Sequence, residues 1–311
     1  MESTAASFSA PSNPNRVAPI RKTLGNLVDA LLAHENLPES KRADARYLID
    51  NLGTWGPRVS TQGSLPPSPS PSALEQDGLA KALSDIGARW GWQAWGYLDE
   101  PSAAGIQYFD TWVKFYNDPA VKKALHARFP NVKPAEYPVV RSKNIYRQGL
   151  TGSRLYEVLL PISKWTDGEA PDRKFVLVVM PQGKHTWIAT SFDEKALLDA
   201  LATIPGPAKT LAEREGLEVL RQEPHYAAGF FTLRHVLGTL MGSSMNMKST
   251  DVERTFSAMP HHGESPIFSF LDYSDAKGPR VELTMLATKE AVQDVAAAIP
   301  MMLANSILGG F

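Results

Sequence analysis

FDEKALLDALATIP, residues 192–205, and ATKEAVQDVAAAIP, residues 287–300, make the same structural statement twice in one chain. Each follows an apolar run with the composition of a strand. Each opens on a residue suited to cap a helix, Asp193 or Thr288, and closes on Ile-Pro. Five of the fourteen aligned positions are identical. The expected buried stripes are Ala196, Leu197, Ala200, Leu201 and Ile204 in the first, and Ala291, Val292, Val295, Ala296 and Ile299 in the second. Two strand-then-capped-helix statements predict two related units, and that reading sets the fold class.

Working outward, a shift of 209 residues lays Leu24, Leu27, Val28 and Leu31 over Leu233, Val236, Leu237 and Leu240. Both sets have the i, i+3, i+4, i+7 spacing of a helix that buries one face. Strands are expected near 90–100, 144–147, 155–162, 175–181, 186–191, 226–231, 267–273 and 280–287, with PQGKH (181–185) as a hairpin turn. The expectation is an α+β fold of two related β-α-β-β-α units. Their antiparallel strands form a mixed or paired sheet, with helices packed on one face. The competing reading is that two Ala-rich amphipathic helices are alike by chance.

The expected organisation is a polar, disordered tether over 1–16, a first unit over 17–205, a connecting helix over 206–224 and a compact second unit over 225–311. The first unit carries a Pro/Ser-rich loop over 57–75, whose LPPSPSPS cannot make regular hydrogen-bonded structure, and an aromatic helical insertion over about 90–150.

Composition excludes several classes of function. Hydrophobic residues make up 43% of 311 residues and charged residues 21%, which fits a globular chain with a sizeable core. The net charge of −1 and the lack of a dense Lys/Arg run argue against a nucleic-acid partner. With no cysteine, disulfides, thiolate metal sites and cysteine nucleophiles are excluded. No apolar run is long enough for a transmembrane helix.

TLAEREGLEVLRQEPHYAAGFFTLRHVLGTL (210–240) carries a Pro-bounded break, a small strand and an L..VL..L helix. Together with VAPIRKTLGNLVDALL (17–32), it resembles a duplicated bacterial cell-envelope domain of unknown function, often lipid-anchored. The resemblance implies an α+β fold and a periplasmic or outer-membrane-anchored location, with a lipid anchor removed ahead of the Ser/Pro/Asn-rich start. It transfers no active-site residues. A cytoplasmic chain that begins natively this way is the alternative.

No phosphate-binding glycine loop or nucleophile elbow occurs. SDAK (274–277) matches the spacing of serine–lysine acylases, but sits in an expected turn beside Gly278-Pro279. Paired carboxylates such as Asp193 and Glu194 have cap explanations, and His185, His225 and His235 lack a spaced partner. Two constellations remain. Trp92, Trp95, Tyr97, Tyr108, Trp112 and Tyr116 are dense enough to line a groove for a glycan, peptide or lipid, or to form a mini-core of their own. Met241, Met245, Met247, Met259, His261 and His262 combine thioethers and imidazoles, the donor set that suits copper; the same methionines also serve as core filler. The functional expectation is a non-catalytic, envelope-associated binding or structural protein without a cofactor. Its ligand or protein partner would sit at the aromatic insertion or in the inter-repeat groove. An extracytoplasmic copper protein and a hydrolase without a recognisable motif are the alternatives.

Overall fold

A computed structural model describes residues 5–9, 22, 26, 38–51, 59–63, 92–97, 101–168, 171–203, 216–221, 225–237, 249–274 and 280–308. Its organising feature is one ten-stranded sheet. The strands are β1 (Ala5–Ser9), β2 (Val59–Gly63), β3 (Trp92–Tyr97), β4 (Val139–Asn144), β5 (Arg154–Leu160), β6 (Arg173–Gln182), β7 (His185–Ser191), β8 (Ala227–Thr232), β9 (Pro266–Ser274) and β10 (Arg280–Ala287). They lie in the order β10-β9-β8-β1-β2-β3-β7-β6-β5-β4. Every neighbouring pair is antiparallel, so the sheet is neither mixed nor split into two abutting sheets.

The helices are α1 (Glu39–Asp50), α2 (Ser102–Asn117), α3 (Pro119–Arg128), the single turn α4 (Ile162–Trp165), α5 (Glu194–Thr203), α6 (Ser249–Ser257) and α7 (Lys289–Leu308). Local chemistry sets their starts. Asp118 accepts from Ala120 N at 2.9 Å with Pro119 in the first turn, Asp193 accepts from Ala196 N at 2.9 Å, and Thr288 Oγ1 accepts from Ala291 N at 3.2 Å. Contrary to the Ile-Pro stop expected there, α7 continues through Pro300 to Leu308. Proline removes its own N–H bond to the preceding turn and its ring crowds the carbonyl of Ala296, yet the helix continues past it.

Helices cover both faces of the sheet, where one was expected. Directly opposed residues share a face, so the register carries each face across the strands. On the first face, Trp95, Ile188 and Val179 stand in line, and Ile106, Phe109 and Val113 of α2 pack over them with Tyr156. On the second face, Ala94, Ala189 and Val178 stand in line under Leu197 and Leu201 of α5. The same split holds in the other half. Leu233, Phe256, Met259 and Ala298 of α7 cover the first face near Ile267. Leu217 and the 3₁₀ turn Glu218–Arg221 cover Phe230, Phe268 and Phe270 on the second. The helices α2 and α7 therefore share a face, whereas α5 and α7, the pair quoted from the sequence, lie on opposite faces.

Three segments differ from the sequence reading. Within the expected tether, Ala5–Ser9 forms β1, a central strand paired on both sides, with Ala5 and Ala6 buried. Its small Ala and Ser side chains carry little strand propensity, and only long-range pairing reveals it. The aromatic insertion carries the strand expected over 90–100, which is β3, and it also supplies β4 to the common sheet, besides α2 and α3. Of the connecting helix over 206–224, residues 216–221 are described, and they form a turn and the 3₁₀ turn Glu218–Arg221 rather than an α-helix. The loop over 57–75 lies outside the described residues except for the part that forms β2. In the helix expected over 24–31, Asn26 alone is described, and it is helical.

Candidate functional site

The aromatic set divides between locations. Trp92 is half-buried against the α5 core on one face of β3, while Trp95 and Tyr97 pack toward α2 on the other. Tyr108 meets Phe109 edge-on at 5.3 Å, and Trp112 stacks on Tyr116 at 6.1 Å. The Tyr116 hydroxyl donates to Pro138 O at 2.8 Å. Burial holds the phenols of Tyr97, Tyr108 and Tyr116 above their ordinary pKa values. Trp95 and Tyr97 join β3 to α2, Tyr116 joins α2 to the approach to β4, and Trp92 lies on the opposite face of the sheet, so the six rings do not share one surface.

Of the Met/His set, Met241, Met245 and Met247 lie outside the described residues. Met259 is 2% exposed in the core with Phe256 and Ala298. His261 Nε2 lies 2.8 Å from Gln293 Oε1, and His262 is exposed in the adjoining turn. Among the described residues, no three His, Cys, Asp or Glu side chains are grouped to hold a metal ion.

What organises that turn is a residue the sequence reading passed over. Asp294 of α7 has no exposed surface. One of its carboxylate oxygens accepts from His261 N at 2.7 Å and the other from Gly263 N at 2.9 Å. The turn needs both bonds, because His262 and Gly263 are in the left-handed region at φ 57° and 69°. Gly263 O in turn accepts from Arg234 N at 2.8 Å. The Arg234 guanidinium lies 5.1 Å over the Phe256 ring and pairs with Glu253 at 2.5 Å. One carboxylate thus ties α7 to the turn, and the turn to the segment leaving β8.

Seating Asp294 fixes the rotation of α7. Ala291, Asp294 and Ala298 face inward, at 1%, 0% and 0% exposure. Of the stripe expected to be core, Ala291 is buried, but its large members face outward: Val292 is 55% exposed, Val295 37% and Ile299 47%. Small inward residues also leave a hollow of about 150 Å³ between α7 and the helical turn over 233–237. Its floor and walls are Phe231, Leu233, Leu237 and Ala298, with Val236 and Val295 partly exposed at the mouth. Every lining side chain is apolar. Val295 belongs both to the hollow and to the outward stripe, so the two form one apolar surface. His235 lies in the same helical turn, and burial holds its imidazole below the ordinary histidine range.

Several titratable groups elsewhere are engaged in structural contacts. Burial in β5 works against the charge of Glu157, but Lys143 at 2.7 Å and Lys174 at 3.6 Å outweigh it and hold the carboxyl below its usual value. Asp110 receives Arg154 at 3.3 Å and lies 3.1 Å from the Tyr156 hydroxyl; burial first, then the Asp110 charge, pushes that phenol well up. His225 Nδ1 lies 2.9 Å from Asp272.

The chain matches no protein-family model, no curated protein and no solved structure. Among the described residues, no helix is long and apolar enough to cross a membrane.

Proposed function

We propose that the protein is a non-catalytic binding protein whose working surface is the apolar hollow and the outward stripe of α7. The observation that carries this reading is the rotation of α7, which buries Asp294 and turns Val292, Val295 and Ile299 outward. A hollow of about 150 Å³ is small for a ligand site, which ordinarily occupies roughly 300–1,000 Å³. It suits one large aliphatic or aromatic side chain. The occupant is therefore an apolar anchor residue on a partner protein, with flanking side chains laid along the α7 stripe. Cell-envelope location is part of the same proposal; cell fractionation with an antibody to the protein tests it.

The finer architecture belongs to this proposal too. Outward from the β1/β8 junction, β1-β2-β3 on one side mirrors β8-β9-β10 on the other, and α2 and α7 follow the third strand of each set on the same face. This supports two related units, with β4–β7 and α5 added to the first.

Selection of displayed amphipathic peptides against the purified protein tests the binding reading. The expected binders carry an apolar anchor and lose at least about tenfold in affinity against Val295→Asp, a change at a partly exposed position. Binders that keep full affinity for that variant, and map instead to Trp112 or Tyr116, would overturn it.

A further inference from the structure

The two ends of the sheet are finished differently. At one end β4 is guarded: Asn117 of α2 donates to Val140 O at 2.9 Å, Tyr116 donates to Pro138 O, and the strand carries Arg141 and Lys143. At the other end β10 is exposed at all eight positions. It contains no proline and no lysine, and its register with β9 runs unbroken from Arg280↔Ser274 to Ala287↔Ile267, so no bulge twists the edge away. On the face it shares with α7, Val281 is 65% exposed, Leu283 63% and Met285 58%. Among the described residues, the ion pair on the strand, Arg280 with Glu282 at 3.1 Å, is internal to it. In the other half of the sheet, the third strand β3 takes β7 along its outer side; among the described residues, no strand pairs with the matching side of β10.

We infer that β10 pairs with β10 of a second copy of this chain, antiparallel about a two-fold axis at Leu283. This goes beyond the partner surface proposed above, because neither Leu283 nor its neighbours line the hollow. The pattern of the strand is self-complementary, as an isologous contact requires. With Leu283 opposite itself, Val281 meets Met285 of the copy twice, and all three apolar positions on that face find apolar partners. On the other face Glu282 meets Thr284 and Arg280 meets Leu286. Centring the pair on Glu282 would oppose two glutamates, which is destabilising. Centring it on Val281 would set Leu283 against Pro279 and waste half the strand. Val281, Leu283 and Met285 expose on the order of a few hundred Å² per copy, less than the roughly 800 Å² of an ordinary stable interface. The dimer is therefore expected to form at micromolar concentrations and to dissociate on dilution.

The chain has no cysteine, so Leu283→Cys introduces a single thiol at an exposed position and is expected to leave the fold intact, which circular dichroism checks. Under a mild oxidant at roughly 100 µM it is expected to give a disulfide-linked dimer. Val281→Cys alone should not, because its own counterpart in the copy lies four residues away along the pair. A mixture of Val281→Cys and Met285→Cys should cross-link. Light scattering on the unmodified protein should show a doubling of mass that Leu283→Arg abolishes. A monomer at every concentration up to roughly 100 µM overturns the inference. So does equal self-cross-linking of Val281→Cys and Leu283→Cys, which would mean no fixed register.

Discussion

Ser7 stands directly opposite Gly229 across the β1/β8 pair, at the junction where the two halves of the sheet meet. A Cβ on residue 229 would lie 2.5 Å from Ala6 O and 3.1 Å from Ser7 Cα. The backbones are too close there for any side chain. Gly229→Ala should destabilise the protein by about 1–3 kcal/mol through forced separation of the strands. Urea unfolding checks this; an unchanged midpoint would mean the junction is not formed as described.

Asp294 supplies both acceptors for a turn that cannot satisfy itself. Asp294→Ala leaves the His261 and Gly263 amides without their partner, at a cost of about 2–4 kcal/mol. Asp294→Asn keeps one oxygen and should cost clearly less. Equilibrium denaturation of both variants measures the order. If alanine and asparagine are equally mild, the rotation of α7 has another cause.

The hollow is dry enough in composition to take a small apolar guest. Xenon or benzene is expected to shift the methyl resonances of Leu233, Leu237 and Val295, while leaving those of Leu197 and Leu201 in place. Ala298→Leu should remove the response by filling the space. Guest shifts that persist in that variant would place the binding volume elsewhere.

His235 predicts a pH dependence at the same site. Its folded pKa lies below the ordinary value of 6.5, so below that value the unfolded chain takes up a proton that the folded chain resists. Stability from this residue is present above pH 6.5 and declines as the pH falls from there through the folded pKa. Thermal unfolding between pH 7.5 and 5.5 should show a steeper loss for the wild type than for His235→Gln. Parallel curves would refute the assignment.

Much of the scaffold was legible in the sequence. Alternation and turn residues mark β5 through β10 to within a few positions, and Asp193 and Thr288 cap the helices they were expected to cap. Strand β1 was not legible, because AASFS acquires a strand conformation only between β2 and β8. The site was not legible either, for a specific reason. Periodicity in α7 places Ala291 inward correctly, but hydrophobicity then favours Val292, Val295 and Ile299 over Asp294 and Ala298. The buried stripe is the one whose carboxylate the turn at His261–Gly263 requires, and that turn is distant in sequence. A single Asp set among alanines was the only local sign.

The most direct test places a photoreactive amino acid at Val295, and separately at Trp112, in the cells that make the protein. The account predicts a covalent partner protein from the Val295 position and none from Trp112. Cross-linking from Trp112 with silence at Val295 would contradict it, and would return the binding surface to the aromatic helix α2.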